Sequence, residues 1–259
     1  MEPGQTDDLP LIGVIGGVGP YAGLDFVQKI FSNTLAVRDQ DHLNCIMISC
    51  PSIIPDRTAF LLHGKDDDEN PAFGMFESAR RLYMAGVHIA AVACNTAHAE
   101  RIFSPFCAMV KESLPGFEIV NMLETCALYV RESLRVKRLG LLATIGTHKS
   151  GVYREYFKEG DGFSLLEPLE AGQGRIHEAI YNEGFGIKAS SEKIDPRARG
   201  IISGEIQALI YRGAEAVILG CTELPLAVTP EDFALPVIDP ALIAARTLIA
   251  LTAPGKLKP

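Results

Sequence analysis

The chain has 259 residues, a formal net charge of −8 and a hydrophobic share of 47%. That length can bury a large core as one α/β unit or two modest domains, and the acidic balance argues against nucleic acid or an anionic membrane as the main partner. No apolar run reaches the roughly 18 residues of a membrane span, and the start MEPGQTDDLP lacks the basic segment and apolar core of a secretory signal. A cytoplasmic protein with its six cysteines as thiols is therefore expected.

In chain order the periodicity predicts strand 11–16, helix 20–36, strand 45–50, helix 71–85, strand 88–93, helix 97–113, strand 117–120 and helix 122–134. It continues with strand 138–143, helix 148–159, strand 163–166, helices 173–183 and 193–212, strands 215–219 and 235–238, and helix 240–252. This alternation predicts mainly parallel sheets with helices on both faces. Ligands of such folds bind beyond the carboxyl ends of the strands. The acidic KDDDEN at 65–70 reads as a solvated loop or a lid.

The first strand runs into GVIGGVGPYAG, where Gly17, Gly19 and Ala22 fit the spacing GxGxxA of a dinucleotide turn. The acid that would bind a ribose hydroxyl is missing: the next strand, LNCIMISCPS, ends in Ser49, Cys50 and Pro51. A nucleotide-dependent oxidoreductase is thus disfavoured.

An internal repeat is more informative. Gly13 pairs with Gly140, Gly19 with Gly146, Gly86 with Gly213 and Cys94 with Cys221, each pair 127 positions apart. Two similar α/β halves follow: an N-terminal one over 9–116 plus 229–255, whose last segment returns to it, and a second over 117–228. Cys94 and Cys221 each end a strand-like run and precede a helix-like one, where amides and the helix dipole favour thiolate. If the halves face each other, the two thiols flank one cleft. Such a pair suits inversion at an acidic carbon, one thiolate taking a proton from one face while the opposite thiol delivers one to the other. The chain has no CxxC or HxxxH spacing, so no metal site is expected.

The stretches CNTAH at 94–98, GCTELPL at 220–226 and GGVGP at 16–20 resemble the aspartate/glutamate racemase family, its aspartate racemase branch in particular. The resemblance runs from about Ile12 to Ile249. Glutamate racemases usually carry Asp-Ser-Gly where this chain has GGVG, and a histidine where it has Glu223.

The resemblance implies a cofactor-independent racemase with its site between two pseudo-symmetric domains. A small acidic amino acid is the substrate, Cys94 and Cys221 are the bases, and the assembly is a homodimer. It matches the family's acid–arginine pair to Asp56 and Arg57, and its substrate lysine to Lys188. Two cations suit a dicarboxylic amino acid. Gly17, Asn95, Thr96, Thr147, Ser150 and Thr222 could bind it through amides and short polar groups, with His148 beside them, and Asp56 and Glu223 are candidates to orient its ammonium or the thiols. Alternative readings are a broad-specificity amino-acid racemase, a maleate isomerase, or a two-lobed protein that binds a small acid without turnover.

Overall fold

The computed structural model describes residues 9–64, 69–189 and 192–259, so positions 65–68 of the acidic loop lie outside the described residues. The first sheet consists of β1 (Leu11–Ile15), β2 (Asn44–Ile48), β3 (Ile89–Val92) and β4 (Glu118–Val120), in the order β2-β1-β3-β4. The second consists of β5 (Arg138–Ala143), β6 (Ser164–Leu166), β7 (Ala216–Gly220) and β8 (Val237–Ile238), in the order β6-β5-β7-β8. All ladders in both are parallel, and the two orders are the same order repeated.

The repeat is visible in the packing. A Cβ on Gly13 would stand 2.9 Å from Ala90 and 3.1 Å from Leu82; one on Gly140 would stand 3.0 Å from Val217 and 3.1 Å from Leu209. These neighbours are themselves repeat partners, so each glycine lets the same helix press on the same strand. Gly86 and Gly213, at φ 87° and 91°, likewise both turn the chain into a strand through backbone that other residues adopt at a cost.

Ten helices cover the sheets among the described residues. On the first sheet, α3 (Pro71–Met84) and α4 (Glu100–Ser113) bury Met75, Leu82, Ile102 and Phe106 on one face. The opposite face receives α1 (Pro20–Ser32) through Phe26 and Ile30, and α10 (Pro240–Thr252) through Ala244, Leu248 and Ile249. On the second sheet, α8 (Glu170–Tyr181) and α9 (Pro196–Tyr211) cover one face. Its other face receives α5 (Met122–Ser133) and α7 (Val152–Tyr156), through Leu123, Val130 and Tyr153. The helix that follows the last strand of each sheet therefore packs on the other sheet, and α5 and α10 touch as they cross. Lys29 of α1 fastens this crossing, paired with Asp25 and, at 2.8 Å, with Asp239, the N-cap of α10.

Several boundaries differ from the sequence expectation. The division at 116 and 229 puts 117–120 in the second half and 237–238 in the first; β4 instead pairs with β3 and β8 with β7. Each short strand stays on its own sheet, and only the helix after it crosses. α1 stops at Ser32 instead of 36 because the next residues pair with the chain's end, Thr34 bridging Leu257 and the Leu35 amide donating to Lys256 O at 2.6 Å. The helix expected at 148–159 is broken by Gly151, at φ 68°, into α6 (Ile145–Ser150) and α7. The short α2 (Arg57–His63), too brief to show periodicity, was not expected.

Candidate active site

The carboxyl ends of β3 and β7 face one cleft, lined by Val18, Arg57, Cys94, Asn95, Thr96, Thr144, Tyr181, Lys188, Cys221, Thr222 and Glu223. The space it leaves for the centres of water molecules is about 10 Å³, room for roughly one. A wider groove between α5 and α10, about 680 Å³ by the same measure, contains neither cleft cysteine, so chemistry and not size marks the site. Both Cys94 and Cys221 are buried, at 6% and 4% exposure.

The surroundings of the two thiols differ. Cys221 Sγ donates to Glu223 Oε2 at 3.0 Å, and Lys188 Nζ pairs with Glu223 Oε1. Burial, and next the Glu223 carboxylate, push the Cys221 thiol well above the ordinary cysteine range. Burial works against charge on Glu223, but Lys188, the Cys221 thiol and Arg57 together hold its carboxyl below the usual range. Burial likewise opposes charge on Lys188, yet Glu223 keeps it raised. Thr96, the repeat partner of Glu223, instead joins a hydroxyl cluster, 2.8 Å from Thr147 Oγ1 and 3.3 Å from Thr144 Oγ1.

Arg57 enters from the start of α2. Its Nη2 donates to Val18 O at 2.5 Å and its Nη1 to Pro55 O at 3.2 Å, while its buried Nε has no hydrogen-bond partner. Lys188 thus pairs directly with the buried Glu223 carboxylate, and the charge of Arg57 favours its ionised form without touching it. Gly19, which caps α1, stands where a Cβ would lie 2.3 Å from Glu223 Oε1, so it leaves space for that carboxylate.

Of the residues expected from sequence, Arg57, Cys94, Asn95, Thr96, Lys188, Cys221, Thr222 and Glu223 come together, and five do not reach the cleft wall. Gly17 faces the backbone of Cys50, 2.6 Å from where its Cβ would stand. Asp56 caps α2 through the Ala59 amide at 2.7 Å and accepts from the Tyr181 hydroxyl at 3.2 Å. Thr147 lies behind the wall in the hydroxyl cluster, and Ser150 donates to its carbonyl at 2.9 Å. His148 is buried with both ring nitrogens unpartnered and 3.6 Å from Glu167.

Sequence reasoning missed Val18, Thr144 and Tyr181 on the wall, and His98 behind it. His98 Nε2 accepts from the Met122 amide at 3.3 Å, which leaves Nδ1 as the donor to Cys94 O at 2.8 Å. Burial lowers its pKa to about 4, so the ring stays neutral and ties the cysteine's turn to the start of α5. The sequence gives one weak signal for His98, its place four residues after Cys94. Among the described residues, no three His, Cys, Asp or Glu side chains gather as a metal site, and no helix is long and apolar enough to cross a membrane.

The model of the Asp/Glu/hydantoin racemase family matches residues 15–248, and the chain belongs to this family. The solved aspartate racemase of Picrophilus torridus is similar along its length, with 28% identity, 96% of each chain covered and a TM-score of 0.78. The broad-specificity amino-acid racemase RacX of Bacillus subtilis is 22% identical over 93% of this chain and 97% of its own. The glutamate racemase of Levilactobacillus brevis is 24% identical over 68% of this chain, a match spanning 59% of that enzyme, under two thirds of its length.

Proposed function

We propose that the protein interconverts the L and D forms of aspartate, or of glutamate, without a cofactor, using Cys94 and Cys221 as two bases on opposite faces of the α-carbon. The observation that carries this reading is the meeting of two repeat-equivalent thiols in one cleft with Arg57 and Lys188. In one direction a cysteine thiolate removes the α-proton and the opposite thiol releases its proton to the other face. Thiol and thiolate have then exchanged places, and the reverse reaction restores them.

Stabilising the carbanion requires that the substrate carboxylates be neutralised and water excluded. Arg57 and Lys188 supply the positive charge, and the narrowness of the cleft supports closure around the substrate. Entry requires the two halves to part, as lobes that close in each turnover. Glu223 accepts the hydrogen bond of the Cys221 thiol and fixes its direction at the cleft wall.

The test is incubation of enantiopure aspartate or glutamate in deuterated water without added cofactor. Exchange of the α-hydrogen with loss of optical rotation is expected. A panel of acidic amino acids showing neither would overturn the reading. Similarity along almost the whole of a broad-specificity racemase favours a second reading with wider scope, so neutral amino acids belong in the same panel.

A further inference from the structure

Asn95 follows Cys94 directly and is 1% exposed. Its Oδ1 accepts from the hydroxyl of Tyr153, which reaches it from α7 on the second sheet. Its Nδ2 lies buried at the cleft wall with no hydrogen-bond partner. A buried amide donor left unpaired costs stability, and a site that keeps one has a use for it.

The orientation of this amide is decided by Tyr153. Burial, above all, pushes the Tyr153 hydroxyl well above the ordinary tyrosine range, so it remains a donor and needs an acceptor. Asn95 Oδ1 supplies one, and Nδ2 must then face the cleft. The reverse orientation would leave the tyrosine proton without this acceptor and point a carbonyl at an anionic substrate. Tyr153 is itself fixed in the core, 1% exposed and stacked on Phe157.

We propose that Tyr153 is a positioning residue that locks the Asn95 amide with Nδ2 toward the cleft as a donor to a substrate carboxylate. The inference rests on the racemase reading for the identity of that substrate, but not for the existence of the lock. Because the tyrosine belongs to the second sheet and the asparagine to the first, the donor is set when the halves are together. Selection for an anionic group is then coupled to closure.

The experiment compares wild type, Tyr153→Phe, Asn95→Ala and the double variant, measuring kcat and KM for aspartate and, by calorimetry, the binding of succinate as an unreactive dicarboxylate. Tyr153→Phe should raise KM and the succinate Kd about tenfold and change kcat less than about threefold. In the double variant the tyrosine change should add nothing to Asn95→Ala, since it acts through that amide. Unchanged binding in folded Tyr153→Phe, or an effect that adds fully to Asn95→Ala, would overturn the lock. If Tyr153→Phe does not fold, Asn95→Asp, which puts an acceptor in place of the donor, decides: succinate binding should fall at least about 100-fold, and retained binding overturns the inference. A wild type that binds succinate but never racemises would sink the catalytic reading and leave the lock standing.

Discussion

The ends of β3 and β7 are copies of one another in backbone and opposites in chemistry. Cys94 and Cys221 stand at equivalent places, yet two residues on the first half carries Thr96, within a cluster of hydroxyls, and the second carries Glu223, between a thiol and a lysine. The opening turns diverge too: α1 is capped by Gly19 with no side-chain bond, whereas α6 is capped by Thr144, which accepts from the Thr147 amide at 3.3 Å. Buried packing kept the symmetry because both copies must fill the same core. The cleft lining is free of that constraint, since its side chains border open space and not a shared core.

The comparison breaks most sharply at the cysteines. Replacing either Cys94 or Cys221 with alanine should lower racemisation by about 10³-fold or more. Each variant should still exchange the α-hydrogen of one enantiomer, and the two should differ in which; proton NMR in deuterated water reads both. Normal racemisation by both single variants would end the two-base assignment.

Next comes the asymmetric pair of neighbours. Glu223→Gln should lower kcat/KM about 100-fold, alike for both enantiomers because they are equal in free energy. It also strips Lys188 of its partner, so denaturant unfolding should show about 3 kcal/mol less stability. Thr96→Val should change kcat/KM less than about threefold. Equal effects at these two positions would show that the chemistry is as symmetric as the fold.

His98 has no titrating counterpart, since the residue 127 positions later is Pro225. Its pKa is about 4 in the fold and about 6.5 unfolded. The unfolded chain therefore binds the proton first as pH falls, and the contribution, full above pH 6.5, is lost between about 6.5 and 4. The loss amounts to about 3 kcal/mol, read by unfolding at pH 7.5 and pH 4.5, and His98→Asn should flatten that slope. The smallest effects test the shared frame: Gly86→Ala and Gly213→Ala should each cost about 1 kcal/mol, because both glycines sit at the same left-handed turn.

What could be read from the sequence follows the same division. The repeat was legible because Gly13 and Gly140 each admit a leucine from the helix that leads into the neighbouring strand, a demand that fixes residue type at one spacing. The cysteines were legible because they stand at fixed places in that frame. Tyr181 and Tyr153 were not, since each is a helical aromatic with no repeat counterpart in the site and its reach across the cleft depends on how the halves meet. Thr144 was hidden for another reason: a threonine before a helix reads as a cap, which it is, and its contact with Thr96 across the halves leaves no mark on the local pattern. Asp56 was over-read, because an acid beside Arg57 looks like a partner in the site and serves mainly as the cap of α2.

The exchange of α5 and α10 bears on how such a chain can be cut or joined. The first sheet alone would expose the face that Ala244, Leu248 and Ile249 cover, and the second alone would expose the face beneath Leu123 and Val130. Two fragments severed between α5 and β5 would each carry the helix its neighbour needs, so neither should be soluble by itself, whereas the pair, expressed together, should find each other and fold as one. A repeated fold that swaps its closing helices in this way has no independent parts, and the cleft between them forms only as a whole.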